Sequence, residues 1–251
     1  MSLKKGDFAL VNYTSKIKES NEIIDTTLET VAKEANIHRS ENIYEPQFVV
    51  VGEGWVPKGL DEALTNLEVG KDLTVEVPPE KGYGLRDPSK MKLMPIRRFN
   101  KEKMTPVPGS RIEIDGRPAL VRSVGAGRVQ VDFNHPLAGK TLVYSLKLEK
   151  TLESAEEKIK ALIHRRMPTP VPEKFNLTLS ENECNIEIPE EAFLIEGLQV
   201  AKRVISNDVQ KLMPGITRVV FIEVFKKPST AAEAKPKEAA PSTDTVAAPQ
   251  P

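Results

Sequence analysis

Few side chains in this 251-residue sequence are placed for nucleophilic or metal chemistry. The one cysteine, Cys184, has no second thiol with which to close a disulfide or share a zinc ion. His38, His135 and His164 are scattered and show no His-Glu-x-x-His pairing. The glycine pairs around Glu53 and Ala126 lack the Gly-Lys-Ser/Thr that completes a phosphate loop, so nucleotide binding has no support. What remains is a set of phenols and a carboxylate. Tyr83 lies between Gly82 and Gly84, which leaves its ring exposed on a loop, a common place for a binding residue. Tyr13 and Tyr144 fall on strand-like segments, where such rings ordinarily half-bury against a sheet. Asp25 precedes two threonines and, taken alone, reads as a turn or cap carboxylate.

Composition narrows the classes further. Lys plus Arg and Asp plus Glu number 36 each, which gives no electrostatic case for nucleic acid or for an anionic membrane. Apolar residues make up 39% and charged residues 29%, the balance of a globular chain. No run of eighteen apolar residues occurs, and the opening MSLKKGDFALV lacks the features of a signal peptide. A cytoplasmic location is expected, with no cofactor and no metal.

The elements that must position these residues are legible from periodicity. Leu73, Val75 and Val77 alternate with polar residues, as do Leu142, Tyr144, Leu146 and Leu148, and both patterns predict half-buried strands. Between a strand beginning near Phe48 and the strand at 72–77, Leu60, Ala63, Leu64 and Leu67 recur at helical spacing. That pattern predicts one short helix laid on a sheet. Residues 107–133 read as a small β module, with hairpin signals at Asp115-Gly116 and at 125–127. From Ser154, which forms a capping box with Glu157, a helix is predicted, then two strands, a second helix bearing Leu198, Ala201, Ile205, Val209 and Leu212, and a closing strand ITRVVFIEVF. That last strand pairs either within the module or with another chain. The final residues, 228–251, hold seven alanines and five prolines with no aromatic, a composition that predicts a disordered tail.

The ordered blocks GDFALVNYTSKI, IIDTT, GEGWVPKGLDEALTNLEVG, VPPEKGYG and TLVYSLKLEK resemble the FKBP family of peptidyl-prolyl isomerases. VDFNHPLAGKTLVY is similar to the form with an insert-in-flap domain, and the trailing module to the long archaeal-type form. The resemblance implies an α+β, multidomain fold. Residues 1–88 and 131–152 are expected as an antiparallel half-barrel around a short helix, 89–130 as an inserted small β domain, 153–227 as an α+β module, and 228–251 as tail. It also implies catalysis of Xaa-Pro cis/trans isomerisation in a cleft between helix and sheet. The implied catalytic residues are Tyr83, Asp25, Tyr13 and Tyr144. Ile24, Phe48, Val56, Leu60, Leu137 and Leu142 are the implied substrate-binding residues.

Three departures set this chain apart from the family pattern. Leu60 stands where small members carry tryptophan, with Trp55 five residues earlier and outside the expected cleft. Ile24 replaces a common phenylalanine. Pro57 falls where a backbone N–H meets a ligand carbonyl, so either that bond is lost or the helix entry shifts in register. The segment from Leu28 to Pro46 is longer than the corresponding family loop, and reads either as a short helix over the cleft mouth or as a solvated loop. In the insert, Met91, Leu93, Met94, Ile96, Phe99, Met104 and Val107 suit either a small core or an adaptable surface for unfolded chains. The expected partners are unfolded or partly folded polypeptides containing proline, with a second copy of this chain joined through the C-terminal module. The competing expectation is a holdase chaperone whose isomerase pocket is weak or silent.

Overall fold

In the computed structural model, residues 2–101 and 104–226 are described; the expected tail, 228–251, lies outside them. The first sheet is built around β1 (Phe8–Ile17), which is paired on both sides. On one side it takes β9 (Leu142–Leu152), which in turn pairs with β4 (Asp72–Val77). On the other it takes β2 (Ile23–Thr26) against its second half and β3 (Gln47–Val50) against its first half. All of these pairings are antiparallel. A short helix α1 (Glu29–Glu34) links β2 to β3.

Helix α2 (Lys58–Leu64) lies in the concavity of this sheet. Leu60, Leu64 and the following Leu67 bury there with Ala9, Val11, Val49, Val77, Tyr144, Leu146 and Leu148, the core that the helical and period-two patterns specify. Close approach of α2 to β4 depends on Gly59, where a Cβ would come within 2.8 Å of a Val77 methyl carbon.

The second sheet interrupts the first between β4 and β9. Its order is β5 (Met91–Pro95), β8 (Arg128–Asp132), β7 (Arg117–Gly125), β6 (Arg111–Ile114), with α3 (Ile96–Lys101) after β5. Asp115 and Gly116 both have positive φ, 51° and 71°, as the two-residue turn between β6 and β7 requires. Six of the seven apolar residues of this region divide between core and surface. Phe99 is buried in the insert's core and Met94, Ile96 and Met104 pack against it, whereas Leu93 and Val107 face outward.

Beyond β9, helix α4 (Ala155–Arg166) starts at Ser154, whose Oγ accepts the Glu157 N–H at 3.2 Å. Two strands, β10 (Asn176–Leu179) and β11 (Glu183–Ile188), precede α5 (Leu198–Leu212) and β12 (Arg218–Glu223). β12 pairs in parallel with β11 of its own chain, which decides between the two pairings left open by its sequence. Cys184 is buried on β11, and that burial pushes its thiol up to about 11, away from reactive thiolate chemistry. The module's core continues onto the first sheet through Phe8, Phe48, Val50 and Leu152, so the half-barrel is covered on its outer face by α4.

Candidate active site

A cleft of about 460 Å³ opens between α2 and the concave face of the first sheet. Its walls come from β1 (Val11, Tyr13, Ser15), β2 (Ile24, Asp25), β3 (Gln47, Val49), β9 (Tyr144, Leu146), the entry to α2 (Trp55, Val56, Pro57, Leu60, Leu64) and two loops (Tyr83; His135, Leu137). Tyr13, Ile24, Asp25, Val56, Leu60, Tyr83, Leu137 and Tyr144 are thus brought together from six separate segments of chain.

Two of the expected residues lie elsewhere. Phe48 faces the outer side of the sheet, in contact with the C-terminal module, because its neighbours Gln47 and Val49 take the cleft side of β3. Leu142 is fully buried in the half-barrel core and does not reach the cleft. One further expectation is corrected, and one alternative left open is decided. Trp55 lines the cleft, carried there by a loop whose Gly52 and Gly54 take positive φ of 84° and 67°. Helix α1 forms, but none of its residues lines the cleft; it packs beside β2 through the buried Ala32. His135, one of the three scattered histidines, also enters the cleft. No helical or strand period marks Trp55 or His135, since both sit on irregular loops.

The phenols are coupled. The Tyr13 hydroxyl donates to Asp25 Oδ2 at 2.6 Å, and its ring lies 6.2 Å from that of Tyr144 at an angle of 55°. Burial, reinforced by the neighbouring Asp25 carboxylate, holds the Tyr13 phenol well above its ordinary range. Tyr144 is raised in the same direction, chiefly by burial and then by the nearby Tyr83 phenol. Both therefore remain protonated donors across the physiological range. Tyr83 stacks flat on His135, with ring centroids 4.4 Å apart, and His135 Nδ1 accepts the Leu137 N–H at 3.2 Å. The stack holds an otherwise exposed ring over the cleft.

The loop entering α2 is fixed by Asp61, whose Oδ1 and Oδ2 accept the N–H groups of Gly52 and Gly54 at 2.8 and 3.1 Å. Asp61→Ala removes both charge-assisted bonds and is expected to cost ~1–3 kcal/mol of stability. Urea unfolding of the two proteins checks this, and an unchanged midpoint would contradict it. Pro57 stands first at this helix, its carbonyl accepting the N–H groups of Leu60 and Asp61. The adjacent Val56 N–H has no partner among the described residues.

Among the described residues, no group of three or more His, Cys, Asp or Glu is arranged to hold a metal ion. No described helix is long and apolar enough to cross a membrane. A half-barrel closing a phenol-lined cleft around a short helix, interrupted by a β insert, is the architecture that the resemblance of the sequence blocks implies.

Comparison with known proteins agrees. Residues 1–100 match the model of the FKBP-type peptidyl-prolyl cis-trans isomerase family, 92–137 that of the FKBP26 IF domain, and 155–226 that of the FKBP26 C-terminal region. A short-type peptidyl-prolyl cis-trans isomerase of Methanocaldococcus jannaschii is 40% identical over 155 residues, covering 62% of this chain and 98% of that protein. The isomerase SlyD of Helicobacter pylori is 28% identical over 159 residues, 62% of this chain and 78% of the relative. An FKBP-type 16 kDa isomerase of Escherichia coli is 24% identical over 151 residues, 59% and 92% respectively. The chain belongs to the FKBP-type peptidyl-prolyl cis-trans isomerase family, and its substrates are proline-containing polypeptides.

Proposed function

We propose that Tyr13, Asp25, Leu60, Tyr83 and Tyr144 form the site at which this isomerase turns Xaa-Pro bonds, and that the insert captures the folding chain that carries them. An Xaa-Pro bond is held planar by amide resonance, and rotation costs ~18–20 kcal/mol. No covalent bond between heavy atoms is broken, so a catalyst needs only to favour the twisted amide over both planar forms. An apolar cleft removes the water that solvates the planar, more polar amide, and rigid walls fit one shape better than another. The observation that carries the reading is the convergence of three phenols, Tyr13, Tyr83 and Tyr144, with apolar side chains from helix and sheet on one cleft.

Leu60 and Val49 form the apolar floor, and Ile24 and Leu137 form its sides. Tyr13 is locked by Asp25, which keeps that wall from yielding to the planar substrate. The Tyr83 hydroxyl donates to the substrate carbonyl, whose rotation it follows from the loop. Val56 N–H takes the donor role that Pro57 lacks, one residue before the helix begins. The working units are 1–88 with 131–152 for catalysis, 89–130 for capture and 153–227 as the C-terminal module.

A prolyl exchange assay on a short peptide tests the site. Tyr83→Phe keeps the ring stacked on His135 and is expected to lower kcat/KM about threefold, while Tyr83→Ala lowers it about tenfold, in line with one lost hydrogen bond and then a lost wall. Equal activity in all three proteins would contradict the assignment. Absence of any acceleration, with unfolded-chain binding intact, would leave the holdase reading.

The C-terminal module also suits pairing of two chains. Leu194 is 96% exposed and Phe225 is 76% exposed, and β12 is an edge strand. Full-length protein is expected to sediment as a dimer and Leu194→Glu as a monomer; a monomeric parent would remove the claim.

A further inference from the structure

The C-terminal module meets the cleft wall at Trp55. Trp55, the only tryptophan of the chain, is half-buried with part of its ring in the cleft wall. Phe48 meets that ring edge-on, centroids 5.7 Å apart at 69°. Arg165, in the last turn of α4, lies over it with Cζ 3.7 Å from the centroid. The guanidinium makes no hydrogen bond or ion pair with the described residues, and its Nη1 is buried without a partner. The neighbouring Arg166 instead pairs with Asp208 at 3.3 Å inside the module. The face of Trp55 is therefore what Arg165 rests on.

A second tie joins the same loop to the module. Lys211 of α5 pairs with Glu53, two residues before Trp55. Residues 52–57 belong to no regular element and carry Trp55, Val56 and Pro57 into the cleft, so their placement depends on what grips them. Asp61 holds them from the α2 side, and Phe48, Arg165 and Lys211 hold them from the other.

We propose that Arg165 is a positioning residue for prolyl isomerisation, fixing the Trp55 wall from the C-terminal module and making that module part of the catalytic unit. This rests on the cleft being the site of isomerisation. The physical reason is selectivity of shape. A wall free to yield accommodates planar and twisted amides alike, and uniform binding does not raise the rate of the chemical step. A wall stacked between a guanidinium and Phe48 keeps one shape.

Trp55 supplies its own reporter, since all tryptophan emission of the protein comes from this position. The full-length chain is compared with Arg165→Ala, Arg165→Lys, Arg166→Ala, Trp55→Ala and the Trp55→Ala/Arg165→Ala double variant, using peptide exchange, emission spectra and thermal unfolding. Parent protein inactive on the peptide means that the cleft reading itself has failed, whatever the variants do. With an active parent, Arg165→Ala is expected to lower kcat/KM roughly two- to tenfold, the range a cation–π contact at a half-exposed site supports, and to shift Trp55 emission to the red. Arg165→Lys keeps a cation over the ring and retains most of both properties. Arg166→Ala changes neither. In the Trp55→Ala background, removing Arg165 has no further effect on kcat/KM, because its contribution passes through that ring. The proposal is overturned by parental kcat/KM in a folded Arg165→Ala protein, by an unshifted emission spectrum, or by an equal Arg165→Ala loss with and without Trp55.

Discussion

Excising residues 89–130 and closing the gap with a short turn is expected to leave isomerisation of a short peptide within about twofold of the parent but to lower the rate on a refolding protein by roughly 10²-fold, the scale on which tethering capture to catalysis raises effective concentration. The cleft explains the first half of that result. None of its lining residues belongs to 89–130. The insert explains the second half. Leu93 and Val107 are 57% and 54% exposed on a unit whose own core is complete without them, closed over Phe99, Ile114, Val121, Val129 and Val131. Met94 and Met104 border that core half-buried, and flexible thioethers adapt to varied apolar chains. A short peptide has no flanking chain for this surface to hold, whereas an unfolded protein does. The two substrates are measured side by side on both proteins. Undiminished catalysis of refolding would show that the insert captures nothing.

Asp132→Ala is expected to destabilise the protein by ~1–3 kcal/mol, the cost of losing hydrogen bonds to a buried charged group when the guanidinium partners left behind are about a third exposed and can be solvated. The Asp132 side chain is 2% exposed, at the end of β8 where the chain returns from the insert. It pairs with Arg86, from the segment that leads toward the insert, and with Arg122 Nη2 at 3.0 Å. Asn134 N and Nδ2 add bonds to its other oxygen at 2.9 and 2.7 Å. Asn134 in turn exchanges two bonds with the backbone of Asp87, each 2.9 Å. Loss of the carboxylate leaves two guanidinium groups and an amide without their acceptor at the junction of insert and half-barrel. Asp132→Asn keeps the shape and some of the bonds, so it is expected to fall between the parent and the alanine variant. Denaturant unfolding ranks the three proteins, and an Asp132→Ala midpoint equal to the parent's would contradict the role given to this network.

Much of the architecture was legible before any coordinates. The alternation at 73–77 and 142–148 names strands because successive side chains point to opposite faces. Leu60, Ala63, Leu64 and Leu67 name the helix between them because residues three and four apart share a face. Asp115-Gly116 names a hairpin because that turn requires positive φ at two successive residues. Eight of the ten residues singled out for the site do line one cleft. The failures have particular causes. Phe48 takes the opposite side of β3 from the one its sequence block implies, since a one-residue difference in register moves a strand side chain across the sheet. Leu142 shares the inward face with Tyr144 but sits where that face is fully covered, and alternation says nothing about position along a strand.

By itself, then, the chain's order of residues determined its family, its antiparallel half-barrel with one helix, the interruption by a β insert and most of the cleft, because these depend on local period, turn chemistry and ordered blocks. Only the tertiary structure decided that Trp55 and His135 enter the cleft, that β12 pairs with β11, and that Arg165 and Lys211 reach back to the loop before α2. Those contacts join residues far apart in the chain across irregular loops. Their energies arise from stacking and pairing after the elements have packed, and no spacing along the chain encodes where a loop will meet a distant helix.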